Sequence, residues 1–183
     1  MKPVQLLLVM MATILTSCEF KCSVGGDKGS GTTTKTVTSD DGGGLTGAVI
    51  KNDIELEATD VKVNRVFLAD ELQKPLDSNV VNLNEKITCY INTDTGWTKI
   101  NGKSFIGASE RVTGSDGTVL LDAKDLFEAY DATGVSEEDA KFVSIRARVS
   151  EKIPGIDNYT VQFRVWDKKG KGVITGKYKF RVR

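Results

Sequence analysis

The stretch N158-YTVQFRVWDKKGKGVITGKYKFRVR-183 decides the fold. Its first half alternates. Tyr159, Val161, Phe163 and Val165 fall on one side, with Gln162, Arg164 and Trp166 on the other. Side chains in an extended strand point to opposite faces in turn, so this pattern predicts a half-buried strand. DKKGKG (167–172) follows, a polar, glycine-bearing run suited to a hairpin loop and expected to stay out of the core. The second half alternates again, with Ile174, Tyr178, Phe180 and Val182 inward and Lys177, Lys179, Arg181 and Arg183 outward. Two long amphipathic strands joined this tightly predict an antiparallel hairpin with an apolar inner and a basic outer face.

The same period of two recurs upstream. VKVNRVFLAD (61–70) reads as the first clear strand. EKITCYINT (85–93) places Ile87, Cys89 and Ile91 on one face. SERVTGSDGTVLLD (109–122) holds two strand pieces around Asp116-Gly117, a tight-turn pair. FVSIRARVS (142–150) places Val143, Ile145, Ala147 and Val149 inward. Helical spacing occurs in AKDLFEAYD (123–131), through Leu126, Phe127 and Tyr130 with Asp122 as N-cap. Ser136, three residues before Asp139, marks a second short helix start. At least six strands with little helix predict a mainly β protein: one antiparallel β-sandwich over 59–183, with one or two short helices. The terminal hairpin resembles the last hairpin of an immunoglobulin-like or cadherin-like bacterial module. The Cys–Trp–Cys pattern of antibody domains is absent.

The other end of the chain reads differently. Lys2 precedes an apolar run from Val4 to Leu15, broken only by Gln5 and Thr13. It is shorter than the roughly 20 residues needed to cross a bilayer and has the length of a signal-peptide core. Leu15-Thr16-Ser17-Cys18 then resembles the lipobox of bacterial lipoproteins. That resemblance implies a signal peptide over 1–17, cleavage before Cys18 and a diacylglyceryl group on its sulfur. The partner of Cys18 is then the membrane, and the expected location is the cell envelope, with the outer membrane first. KCSVGGDKGSGTTTKTVTSDDGGGLTG (21–47) is too polar and glycine-rich to order itself, so 18–58 is expected to form a lipidated, flexible tether. About 40 such residues reach roughly 35 Å. AVIKNDIELEA (48–58) within it is a first strand or a short helix. Cys22 either pairs with Cys89, or both thiols stay free and Cys89 serves as a small apolar residue. The layout is similar to uncharacterised envelope lipoproteins of Bacteroidota.

Lys and Arg number 25, Asp and Glu number 25, and there is no histidine. The balance gives no sign of nucleic-acid binding. Lacking histidine, the chain cannot build a Ser–His or Cys–His nucleophile, and no SxxK segment offers a substitute. Asp122, Asp125, Glu128 and Asp131 look like ordinary surface acids on or beside a helix. GSDG and DAKD lack the alternating oxygen ligands of a calcium loop. No catalytic residue, metal or cofactor is therefore expected. The charge is segregated, however. Residues 110–139 carry nine acids against two bases, and residues 140–183 carry twelve bases against three acids.

Arg164, Trp166, Lys177, Lys179 and Arg181 are accordingly the candidate binding residues. They form either a solvated sheet face, a cradle for the acidic segment, or a contact for an anionic glycan or acidic envelope protein. The expected function is a non-enzymatic, lipid-anchored interaction module. The alternatives are an assembly subunit of an envelope complex and a glycan-binding lipoprotein, with Trp166 and Trp97 as stacking candidates. Trp97 also fits a core or loop-packing role.

Overall fold

The computed structural model describes residues 35–36 and 44–183. The proposed signal segment, Cys18, Cys22 and tether residues 19–34 and 37–43 lie outside the described residues. In chain order the strands are β1 (Lys35–Thr36), β2 (Val49–Ile50), β3 (Glu55–Thr59), β4 (Val63–Ala69), β5 (Val80–Val81), β6 (Lys86–Thr93) and β7 (Lys99–Ile100). They continue with β8 (Lys103–Ser104), β9 (Ile106–Gly114), β10 (Val119–Ala123), β11 (Val135–Ser136), β12 (Phe142–Arg148), β13 (Asn158–Asp167) and β14 (Val173–Val182). One sheet runs β1-β2-β4-β6-β12 and the other β10-β9-β13-β14-β3, with β5 added beside β14. A small third sheet runs β11-β8-β7. Pairing is antiparallel except for two short parallel contacts, β2 with β4 and β5 with β14. Inward residues of both large sheets belong to one apolar core, which makes the fold a β-sandwich.

The hairpin is the centre of the second sheet. Tyr159 pairs with Phe180, Val161 with Tyr178, Phe163 with Gly176 and Val165 with Ile174. Tyr159, Val161, Phe163, Val165, Ile174, Tyr178, Phe180 and Val182 are all buried, as the alternation predicts. Each contributes roughly 1.5–3 kcal/mol of apolar burial. Gly176 occupies the one inward position of β14 without a side chain because the Phe163 ring fills it; an added Cβ would lie 2.3 Å from that ring. The loop is less passive than expected. Asp167 and Gly172 are buried, and Asp167 accepts hydrogen bonds from the Lys169 and Thr98 amides at 2.8 and 2.6 Å.

Two other expectations meet different physics. The packed sandwich takes in residues 44–58, which the sequence reading assigned to the tether. Ala48, Ile50, Ile54 and Ala58 are core residues, and β3 pairs with β14 from Thr59↔Val173 to Lys177↔Glu55. AVIKNDIELEA is therefore two strands, separated where Asn52 and Asp53 adopt positive φ (61° and 50°). Buried Asn52 stitches this turn inward, accepting from the Leu68 amide at 2.9 Å and donating to the Leu76 carbonyl at 3.1 Å.

Asp122 does not cap a helix. It lies in β10, opposite Arg111, and only a single 3-10 turn, Glu128–Tyr130, forms downstream. Asp125 instead accepts from the Phe127 and Ala108 amides, and the Leu126 amide bonds to the Ala108 carbonyl. The segment is thus sewn to β9, which prevents a longer helix. Ser136 does cap the one-turn helix α1 (Glu137–Ala140): its Oγ accepts from the Asp139 amide at 3.0 Å and donates to the Asp139 carboxylate at 2.6 Å. Finally, Cys89 is fully buried and carries no disulfide among the described residues.

Candidate functional site

The outer face of the β10-β9-β13-β14-β3 sheet carries the predicted binding residues. Strand register sets its rows. Arg111 lies across from Gln162, which lies across from Lys177 and then Glu55. Ser109, Arg164, Thr175 and Glu57 form a neighbouring row. Thr160 faces Lys179 and Asn158 faces Arg181. Arg111, Arg164, Lys179 and Arg181 are exposed. The acids of the face sit at its margins: Glu55 and Glu57 on β3, Asp122 on β10.

The five candidates separate into two groups. Lys177, Lys179 and Arg181 line one open depression of about 800 Å³, together with Asn79, Asn158, Thr160, Asp53 and Glu55. Lys177 is tied to Glu55 at 2.9 Å. Asn79 fixes one rim, donating to the Asn52 and Lys179 carbonyls at 2.8 and 2.9 Å. Arg164 and Trp166 lie nearer the hairpin turn. Thr175, opposite Arg164, and Arg181 are six residues apart on β14, about 20 Å at strand rise. Trp166 is half-buried because its indole lies over Gly107, where an added Cβ would come within 2.3 Å of the ring. The Arg164 guanidinium sits 5.1 Å from the indole centroid, a cation–π arrangement. Trp166 therefore supports Arg164 instead of standing free as a stacking surface. Trp97 is buried, its Nε1 donating to Thr93 Oγ1 at 3.1 Å, and so belongs to the core. Arg183 donates to the Asn82 side chain at 2.8 Å.

Sequence reasoning overlooked Arg111. The alternation that buries Val112 also turns Arg111 outward, but it sits in the acid-rich stretch, where it is one of only two bases. Asn79, Asn158 and Thr160 were overlooked because uncharged polar residues carry no sequence signal of their own.

The acidic segment does fasten to the hairpin loop, through one residue. Lys168 pairs with Asp125 at 2.5 Å and also with Asp131. Burial opposes the Asp125 carboxylate, yet Lys168 and the two amides outweigh it and hold its pKa below the usual carboxylate range. Asp122 is held by Lys124 at 2.8 Å.

Inside the sandwich lies an acid that the sequence reading treated only as charge. Glu110, on β9, is buried, and one carboxylate oxygen has no hydrogen-bond partner. Burial pushes its pKa up to about 7. The Tyr178 hydroxyl is likewise buried without a partner. Burial and then Glu110 raise the Cys89 thiol above its ordinary range. Among the described residues no cluster of three or more Cys, Asp or Glu side chains is arranged to hold a metal. No helix among them is long and apolar enough to cross a membrane.

No protein-family model matches the chain, and no curated protein matches it. Among solved structures, the chain is similar to the crystal structure of the C-terminal domain of wzt, at 8% identity and a TM-score of 0.45, over 72% of this chain and 78% of that one.

Proposed function

We propose that this chain is a lipid-anchored cell-envelope protein whose sandwich acts as a non-enzymatic interaction module, with an anionic ligand on the outer face of its second sheet. The supporting observation is the gathering of Arg111, Arg164, Lys179 and Arg181 on one face, with the acids of that face at its edges. The LTSC segment ending at Cys18 supports the anchor. Two or three acyl chains on Cys18 hold a protein to a bilayer without a transmembrane helix, at roughly 0.8 kcal/mol per buried methylene. The outer membrane is the proposed location.

The binding half is tested with the detergent-purified chain against acidic probes, polygalacturonate and polyglutamate, at two salt concentrations. At least one probe should bind, weaken with salt, and lose tenfold or more in affinity on Lys179→Glu/Arg181→Glu. A double variant that binds both probes as the parent does would refute it. The anchor is tested separately: Cys18→Ser should leave the membrane fraction or remain unprocessed, and membrane retention at the same mature mass would refute it.

A second reading, an assembly subunit of an envelope complex, has its own support. Val119, Leu120 and Leu121 are exposed on edge strand β10, and Phe142 is exposed on edge strand β12. A cleft of about 470 Å³ lies between these two edges. Co-purification of a protein at one-to-one stoichiometry, abolished by Leu120→Lys/Leu121→Lys, would favour this reading.

A further inference from the structure

Resting on the binding-face reading above, we infer that the ligand is an acidic polysaccharide, a polymer that carries both carboxylate or phosphate groups and free hydroxyls. The lining of the 800 Å³ depression carries the argument. Its accessible side chains are all polar. The aromatic residues at its floor, Tyr159, Tyr178 and Phe180, are buried and belong to the core. A membrane-docking face needs apolar groups that enter the acyl boundary. A protein interface is energetically centred on apolar or aromatic anchors. No exposed apolar or aromatic side chain lines the depression. Of the exposed large apolar side chains, Val119 alone pairs with a residue of this face, Thr113, at the β10 margin.

The mixture of charges points the same way. Lys179 and Arg181 share the depression with two carboxylates, Asp53 and Glu55, and with the uncharged groups Asn158 and Thr160. Carboxylates repel a uniformly anionic surface such as a lipid headgroup layer or a polyacidic peptide. They accept hydrogen bonds from hydroxyls, however, and a side-chain amide both donates and accepts. Cations for the acidic groups, with carboxylates and amides for the hydroxyls, together match a hydroxylated polyanion. The geometry favours a polymer over a single small anion. The depression is open, and the cationic face continues from Arg181 to Arg164 over about 20 Å. At that end the Arg164 guanidinium rests on Trp166, and its planar fork suits a carboxylate or phosphate.

The test titrates the detergent-purified chain with polygalacturonate, polyglutamate of equal charge, neutral dextran and glycerol phosphate. Polygalacturonate should bind at least tenfold tighter than any of the other three. Asp53→Gly, which tolerates the positive φ and removes the acceptor, and Asn158→Ala should each weaken polygalacturonate at least fivefold without weakening polyglutamate. Thermal melts should match the parent for both variants, since both side chains are exposed. If polyglutamate binds as tightly through Lys179 and Arg181, or if neither variant discriminates, the polysaccharide inference falls and the binding-face reading stands. If no acidic probe shows binding that Lys179→Glu/Arg181→Glu removes, both fall.

Discussion

Glu110 is the residue whose environment fights its chemistry. It sits between Ala108 and Val112 on the inward side of β9, with one oxygen unpartnered and its pKa raised to about 7 by burial. The unfolded chain titrates this group near 4.5, so between those values the folded state holds more protons. Stability then declines as pH rises from 4.5 to 7 and levels off above. Glu110→Gln should match the parent at pH 4 and exceed it by up to about 3 kcal/mol at pH 8. Denaturant unfolding at the two pH values checks this, and an equal difference at both would count against it. Gly176 makes a steric counterpart. Ala there must displace the Phe163 ring, and a loss of roughly 1–3 kcal/mol is expected from overpacking. Neither effect is visible in sequence. Glu110 sits at a position that alternation marks as inward, but its charge reads as part of an acidic stretch. Gly176 reads as a gap in the alternation until its partner across the strand is known.

At the scale of elements, the strands with long alternating patterns were legible and the short connectors were not. The β13–β14 hairpin, β6 and β12 follow from periodicity alone, because each buries one face against one core. The helix expected over 123–131 failed for a physical reason. Asp125 spends its carboxylate on the Ala108 and Phe127 amides and on Lys168, and these tertiary bonds override local propensity. Lys168→Ala should cost about 1–2 kcal/mol, leave Asp125 half-buried without its cation, and speed proteolysis within 123–134. In a double-mutant cycle with Asp125→Ala the two losses should be non-additive; additive losses would sink the clamp. The start of the sandwich was misplaced because Asn52 and Asp53 interrupt the alternation with positive φ. A chain beginning at residue 44 should fold, whereas one beginning at 59 loses β3 and four core residues and should not. Circular dichroism and thermal melts of the two would decide it.

At the scale of the whole molecule, a zero net charge hides a segregated one. The acid-rich middle and base-rich end were readable from composition, and strand alternation then turned Arg164, Lys179 and Arg181 outward. What composition could not supply was the register that adds Arg111 to the same face and places Glu55 and Asp53 among the cations. Those contacts join residues far apart in sequence: Arg111 pairs with Gln162, and Lys177 with Glu55. The proposed lipid anchor is read only from the segment ending at Cys18. The proposed face is expected to bind anions through Lys179 and Arg181. The most direct test is the salt dependence of polygalacturonate affinity for the parent chain and for Lys179→Glu/Arg181→Glu. A log–log slope that falls by about two as two cations are removed is expected, with tenfold or greater loss of affinity at low salt. An unchanged slope and affinity in the double variant would contradict it.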